Sequence, residues 1–196
     1  MPADDPRQEV FGNNGSELKF GTGQPIPEDT MATTKTLDDL FLDTLKDIYY
    51  AEKQILKALP KMARAAQSEE GKNGFLQHRD ETQGHVERLE QIFELIGKPA
   101  RGKTCEAIQG IIAEANEIME DFEGSVALDA GLISSAQAVE HYEIARYGTL
   151  IAWAKQLGLG EAATLLQQTL AEEEATDKKL TKLALSAANA KGTKAA

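Results

Sequence analysis

Cysteine is nearly missing from this chain: Cys105 is the only one in 196 residues, so no disulfide can close within it. That usage agrees with a reducing compartment, and a cytoplasmic location is the expectation. Aromatic residues are scarce, at 6%, and runs of β-branched residues, the usual mark of strands, hardly occur. Nowhere do 18 apolar residues follow one another, so no membrane-spanning helix is expected. The N-terminus has none of the apolar stretch that secretory signals carry. Positive charge is also short. The 21 Lys and Arg face 32 Asp and Glu, for a formal net charge of -11. Such a surface repels phosphate backbones, which argues against nucleic acid as a partner.

Proline is rare except at one end. Four of the six (Pro2, Pro6, Pro25 and Pro27) stand in the first 33 residues, together with Gly12, Gly15, Gly21 and Gly23, and no helical period runs through them. Residues 1–33 therefore read as a flexible or extended arm, residues 34–188 as one folded domain, and residues 189–196 as a tail.

What is abundant is Ala, Leu, Glu and Lys, the best helix formers, with enough apolar residues (41%) for a real core. The first helix opens at Thr36, with Asp39 three residues on in a capping box. Leu37, Leu40, Phe41, Leu45, Ile48, Ala51, Ile55 and Leu59 follow at spacings of mostly three and four, one apolar stripe. Pro60 kinks or re-starts this helix without ending it, since Met62 and Ala66 resume the pattern. A second helix is expected from Asn73 to Ile96, stopped by Gly97 and Pro99. A shorter one, capped by Thr104, reaches Phe122. Gly124 and Ser125 begin a long helix to Leu157, which Gly158 and Gly160 end, and the last helix runs from Glu161 to Ala187. A hairpin, a longer crossover and a second hairpin make an all-α, ferritin-like antiparallel four-helix bundle, with one additional shorter helix between helices two and three.

The informative residues are acids lying inside apolar stripes. Residues three or four apart share a helix face. Glu52 falls between Ile48 and Ile55; Glu81 lies among Leu76, His78 and His85; Glu140 and Glu143 share a face leading to Tyr147; Glu173 follows Leu170, and Asp177 precedes Leu180. A buried unpaired carboxylate costs several kcal/mol, roughly. Acids on the inner faces of four helices need compensation, and two metal ions, iron or manganese, would supply it. The spacing also repeats. Glu81 and His85 are four apart, as are Glu173 and Asp177, which suggests a pseudo-twofold metal site with His78 as a rival ligand to His85. For any single one of these acids a solvated helix face is an equal reading. Glu172 and Glu174 read as such face residues, and Tyr49, Tyr50, Tyr142 and Tyr147 as packing aromatics, with Tyr50 and Tyr142 as candidate proton donors.

The segments Asp47 to Gln54 (DIYYAEKQ), His78 to Leu89 (HRDETQGHVERL), Val139 to Gly148 (VEHYEIARYG) and Leu170 to Leu183 (LAEEEATDKKLTKL) resemble the YciF-like family of ferritin-like bacterial stress-response proteins. The resemblance covers residues 34–188. It implies a cytosolic protein of the general stress response whose bundle forms a homodimer. The wider di-iron pattern pairs Glu with a His three residues later on helices two and four. Here those positions are Gly84 and Thr176, and His85 and Asp177 stand one residue further on. The neighbouring acids Glu140 and Glu143 are similar to rubrerythrin-like and manganese-catalase sites. The expected function is a two-metal centre acting on peroxide or oxygen. The alternative is a metal-sequestering or structural, interaction-forming stress protein without turnover.

Overall fold

In a computed structural model, described over residues 34–193, the chain is helical and contains no strand among the described residues. The expected arm at residues 1–33 lies outside the described residues. Helix α1 (Leu37–Ala65) starts from the capping box anticipated at Thr36 and Asp39, and it passes through Pro60 without interruption. Helix α2 (Glu69–Leu95) starts four residues before the position read from the sequence. Its true cap is Ser68, whose hydroxyl accepts from the Gly71 amide. Helix α3 (Glu106–Asp121) is capped by the Cys105 thiol in place of Thr104. Helix α4 (Leu128–Gln156) begins a turn after Gly124, and α5 (Gly160–Leu183) begins at the glycine expected to end its predecessor. A π-helical segment (Ala184–Ala188) and a short α6 (Asn189–Gly192) carry helix past the boundary drawn at residue 188.

Helices α2 and α4 end alike. Gly97 (φ 66°) and Gly158 (φ 73°) take the left-handed conformation. The amide after each returns to the carbonyl five residues back, Lys98 to Phe93 and Leu159 to Ala154, in a Schellman motif.

Helix α1 packs on α2 and α4 on α5, and the two hairpins meet through α2–α5 and α1–α4 contacts. Cross-helix pairs fix the directions. Asp129 accepts from the Gln67 and Ser68 amides while Tyr147 reaches Glu52, so α1 and α4 are antiparallel. Arg88 meets Thr169 while Thr176 meets Glu81, so α2 and α5 are antiparallel. The link from α2 to α4 must then run the length of the bundle. Sixteen-residue α3 lies along that path, against α4 and α1. This is the crossover connectivity of ferritin-like bundles. Ile108 and Ala115 of α3 are buried, and Ile111, Ile112 and Met119 pack on the core, so its apolar face is covered within the chain. No helix of the described residues is long and apolar enough to cross a membrane.

Candidate metal centre

Each helix of the bundle buries a stripe with spacings of three and four. On α1 it runs through Phe41, Leu45, Ile48, Glu52, Ile55, Leu59 and Met62; on α2 through Gly71, Phe75, His78, Thr82, His85, Leu89 and Ile92. On α4 it includes Ala136, Val139, Glu140, Glu143, Tyr147 and Leu150; on α5, Leu166, Thr169, Glu173 and Thr176. Six ionisable side chains thus occupy core positions in the middle of the bundle, among apolar neighbours along each stripe. Their exposures run from 0% for Glu52, His85 and Glu173 to 5% for His78.

These six converge as two groups. His78, Glu140, Glu143 and Glu173 each place one ligand atom within 4.8 Å of the others, and so do Glu52, His85 and Glu173, so that Glu173 is common to both. His78 Nε2 is 3.2 Å from Glu140 Oε1, and His85 Nδ1 is 2.9 Å from Glu173 Oε1 and 3.5 Å from Glu52 Oε1. These separations are short, but neither His78 nor the Nδ1 of His85 has the directionality of a hydrogen bond to a partner. Among the described residues, every buried side-chain nitrogen or oxygen without a hydrogen-bond partner belongs to these six residues: Glu52 Oε2, both His78 nitrogens, His85 Nδ1, Glu140 Oε2 and both oxygens of Glu143 and Glu173. Such orphaned groups are rare in proteins and call for a cause.

The surrounding residues aim this set. The Tyr147 hydroxyl, fully buried, donates to Glu52 Oε1 and leaves Oε2 without a partner. The other nitrogen of His85, Nε2, lies 2.9 Å from Glu172 Oε2. Arg88 donates to Glu172 at 2.7 Å and 2.8 Å and to Thr169 at 2.7 Å. Glu172, read from the sequence as a solvated face residue, therefore braces a core histidine. Consecutive glutamates look like one exposed run, and nothing in the spacing of α5 alone reveals that its neighbour across the interface is His85.

The electrostatics follow from the burial. Burial pushes Glu143 well above the ordinary carboxyl range, and the charges of Glu173, Glu52 and Glu140 push it further. Glu173 rises by burial to about 7, restrained by His85. Burial pulls both imidazoles down, but the carboxylates overcome it. The adjacent carboxylates of Glu140 and Glu81 bring His78 to about 10, and those of Glu52 and Glu173 bring His85 to about 11. Burial and the same carboxylates hold the Tyr147 hydroxyl protonated. Without a cation, the cluster keeps its charge balance by holding protons.

Two sequence-nominated acids stand outside the cluster. Glu81 is 27% exposed and lies beside His78 Nδ1 at 3.5 Å. It accepts from Gln77 at 2.9 Å and from Thr176 at 3.4 Å, with Lys179 Nζ at 3.6 Å. The close approach of His78 lowers it to about 2. Asp177 accepts from Gln137 at 3.0 Å and sits 3.4 Å from the exposed His141. The reason is helical phase. His78 and His85 are seven residues apart, close to two full turns, whereas Glu81 is rotated about 60° from His78. Helix α2 therefore contributes both histidines and no direct carboxylate, and the expected pseudo-twofold repeat of Glu81–His85 with Glu173–Asp177 places only one member of each pair in the centre. Tyr50 and Tyr142 are also remote. The Tyr50 hydroxyl accepts from Gln109 at 2.7 Å, and that of Tyr142 donates to Asp47 at 2.6 Å. A Cβ on Gly84 would meet only Arg88 NH2 at 3.8 Å, so no neighbouring helix packs closely there.

Comparison with known proteins agrees with the fold. A family profile described as a domain of unknown function (DUF892) matches residues 36–193. The chain is 48% identical over 158 residues to Protein YciF of Escherichia coli (strain K12), covering 80% of this chain and 95% of that protein. The crystal structure of the E. coli stress protein YciF superposes with a TM-score of 0.76, covering 79% of this chain and 98% of that one. YcfI from Rhodopseudomonas palustris is 47% identical with a TM-score of 0.74, over 77% of this chain and 96% of that one. A protein from Xanthomonas campestris pv. campestris, 22% identical with a TM-score of 0.60 over 79% and 95% of the two chains, is similar in fold alone.

Proposed function

The chain belongs to the YciF-like family, that of the DUF892 domain, and from this premise and the buried cluster we propose that it is a stress-associated protein holding two metal ions, iron or manganese, at the centre of its bundle. One observation carries this reading: among the described residues, the buried unpartnered ligand atoms all lie on six side chains that converge in the core. His78, Glu140, Glu143 and Glu173 would hold one ion, and Glu52, His85 and Glu173 the other. Carboxylate with imidazole is a donor set suited to iron and manganese. The charges also match, because four carboxylates with two neutral imidazoles balance two divalent cations, whereas the metal-free cluster needs protons for the same end.

Ions of this kind bound there would supply redox chemistry, dismutating peroxide or, with electrons from an external donor, reducing peroxide or dioxygen. The chain's own part is to hold and orient. Tyr147 fixes one oxygen of Glu52, Glu172 and Arg88 fix the ring of His85, and the bundle keeps all six side chains nearly buried. Holding metal without turnover is the second reading. It is favoured by Tyr147, whose proton is tied to Glu52 and held far above neutral pH.

Loading the protein with iron or manganese and following peroxide loss tests the activity. Peroxide consumption that depends on the bound metal supports turnover; full metal occupancy with no consumption leaves sequestration. We also infer, from the family resemblance, a homodimer located in the cytoplasm. A strictly monomeric species in dilute sedimentation runs would contradict the dimer.

A further inference from the structure

Among the described residues, a cavity of about 380 Å³ opens between α2, α4 and α5. Its inner end is formed by His78 and Glu140, both buried, and its outer end by exposed residues including Asn73, Gly74 and Lys179. Between them the walls are largely apolar, built from Phe75, Ala136, Leu180 and Leu183. Both nitrogens of His78 and Oε2 of Glu140 lack hydrogen-bond partners, so unsatisfied ligand atoms stand at the closed end. The cavity thus leads from the surface to one of the two ligand groups.

Its size and lining restrict what it takes. A water molecule's share of liquid volume is about 30 Å³, so dioxygen or hydrogen peroxide needs only a small part of this space. Cavities that hold small organic ligands run from about 300 to 1,000 Å³ and are lined in this manner, apolar with a few polar groups. Lys179 is the one lysine or arginine in the lining. It lies 3.6 Å from Glu81, and Glu70 adds a second acid near the mouth. The walls and mouth therefore offer phosphorylated ligands and nucleotides no lysine or arginine beyond this paired one. We propose that this cavity binds a small organic molecule with an apolar body and a single oxygen-donor head, the body against Phe75, Leu180 and Leu183 and the head toward His78 and Glu140. The head's role rests on the two-metal reading above; the seating of the apolar body does not.

The test separates the two. Calorimetric titrations compare hexanoate with acetate on protein loaded with zinc, a redox-inert ion, and use hexan-1-ol on metal-free protein. Burying methylenes is worth about 0.8 kcal/mol each, or roughly fourfold in affinity. Hexanoate is therefore expected to bind at least tenfold tighter than acetate, and hexan-1-ol to bind the metal-free protein measurably. Gly74→Trp places bulk where a Cβ meets open space, without strain on the helix. Leu183→Asp puts a charge on the apolar wall. Each should weaken hexanoate and hexan-1-ol tenfold or more while leaving zinc content and acetate binding unchanged. Equal affinities for hexanoate and acetate, no binding of hexan-1-ol, or indifference to both variants would overturn the proposal. Hexan-1-ol binding that both variants abolish, in a protein that takes up no zinc, upholds the cavity and removes the metal reading alone.

Discussion

Nε2 of His85 lies 2.9 Å from Oε2 of Glu172, while Nδ1 of the same ring lies 2.9 Å from Oε1 of Glu173. Two consecutive residues of α5 thus hold the opposite nitrogens of one imidazole from α2. A carboxylate behind a ligand histidine fixes its tautomer and orientation, and losing such a partner typically lowers metal affinity about 10- to 100-fold. Glu172→Ala should therefore weaken one ion, the one assigned to Glu52, His85 and Glu173, by about that factor and leave the other unchanged. A metal titration resolving two binding events checks this; equal weakening of both events would refute the brace.

The metal-free protein should lose stability as pH rises. His78, His85, Glu143 and Glu173 all have folded-state pKa values above their ordinary ones, so the folded state binds more protons than the unfolded chain. Their contribution is complete below about 4.5 for the carboxyls and 6.5 for the imidazoles. It fades as pH climbs through about 7 for Glu173, about 10 for His78 and about 11 for His85. Glu81, lowered to about 2, acts in the opposite sense and loses its contribution as pH falls toward that value. Melting temperatures of the chelator-treated protein should peak near about pH 5 and fall steadily toward alkaline pH. A melting temperature that rises between neutral and alkaline pH would contradict these shifts.

Metal uptake at neutral pH should expel protons. Both imidazoles and Glu143 are protonated in the metal-free cluster, Glu173 is about half so, and ligands must be deprotonated to bind, so about three to four protons leave per pair of ions. Calorimetry in buffers of different ionisation enthalpy measures the number. No net release on binding would mean that the ions sit elsewhere.

Glu81 and Glu173 should behave differently when each is neutralised. Glu81→Gln touches a residue at the rim, held by Gln77, Thr176 and Lys179, and should retain two ions per chain. Glu173→Gln removes the carboxylate common to both groups and should abolish both. Metal analysis of the two purified variants decides the matter, and loss of both ions in Glu81→Gln would move the centre toward the rim.

Much of this was readable from the sequence because burial and helical period reinforce each other. Glu52, Glu140, Glu143 and Glu173 stand where an apolar residue should, and a four-residue window is enough to see it. Both histidines of α2 were also visible, though as rivals; their seven-residue separation makes them partners on one face. Glu81 and Asp177 misled because a spacing of four drifts about 40° around a helix, enough for Gln77 and Lys179, or Gln137 and His141, to capture a carboxylate at the rim. Glu172 was illegible for another reason: its role depends on which helix lies across the interface, and no local pattern encodes that. The start of α2 was missed because Glu69 and Glu70 look like a polar loop, although acids in a first turn behind a Ser cap are favourable.

The central claim is that two metal ions share Glu173. Crystals of protein equilibrated with manganese or anaerobic ferrous iron, measured at the metal's absorption edge, test it most directly. The account predicts two anomalous peaks per chain, one among His78, Glu140, Glu143 and Glu173 and one among Glu52, His85 and Glu173, with the Glu173 carboxylate reaching both. A metal-saturated crystal with no peak between these side chains, and their carboxylates instead paired with protonated His78 and His85, would contradict it.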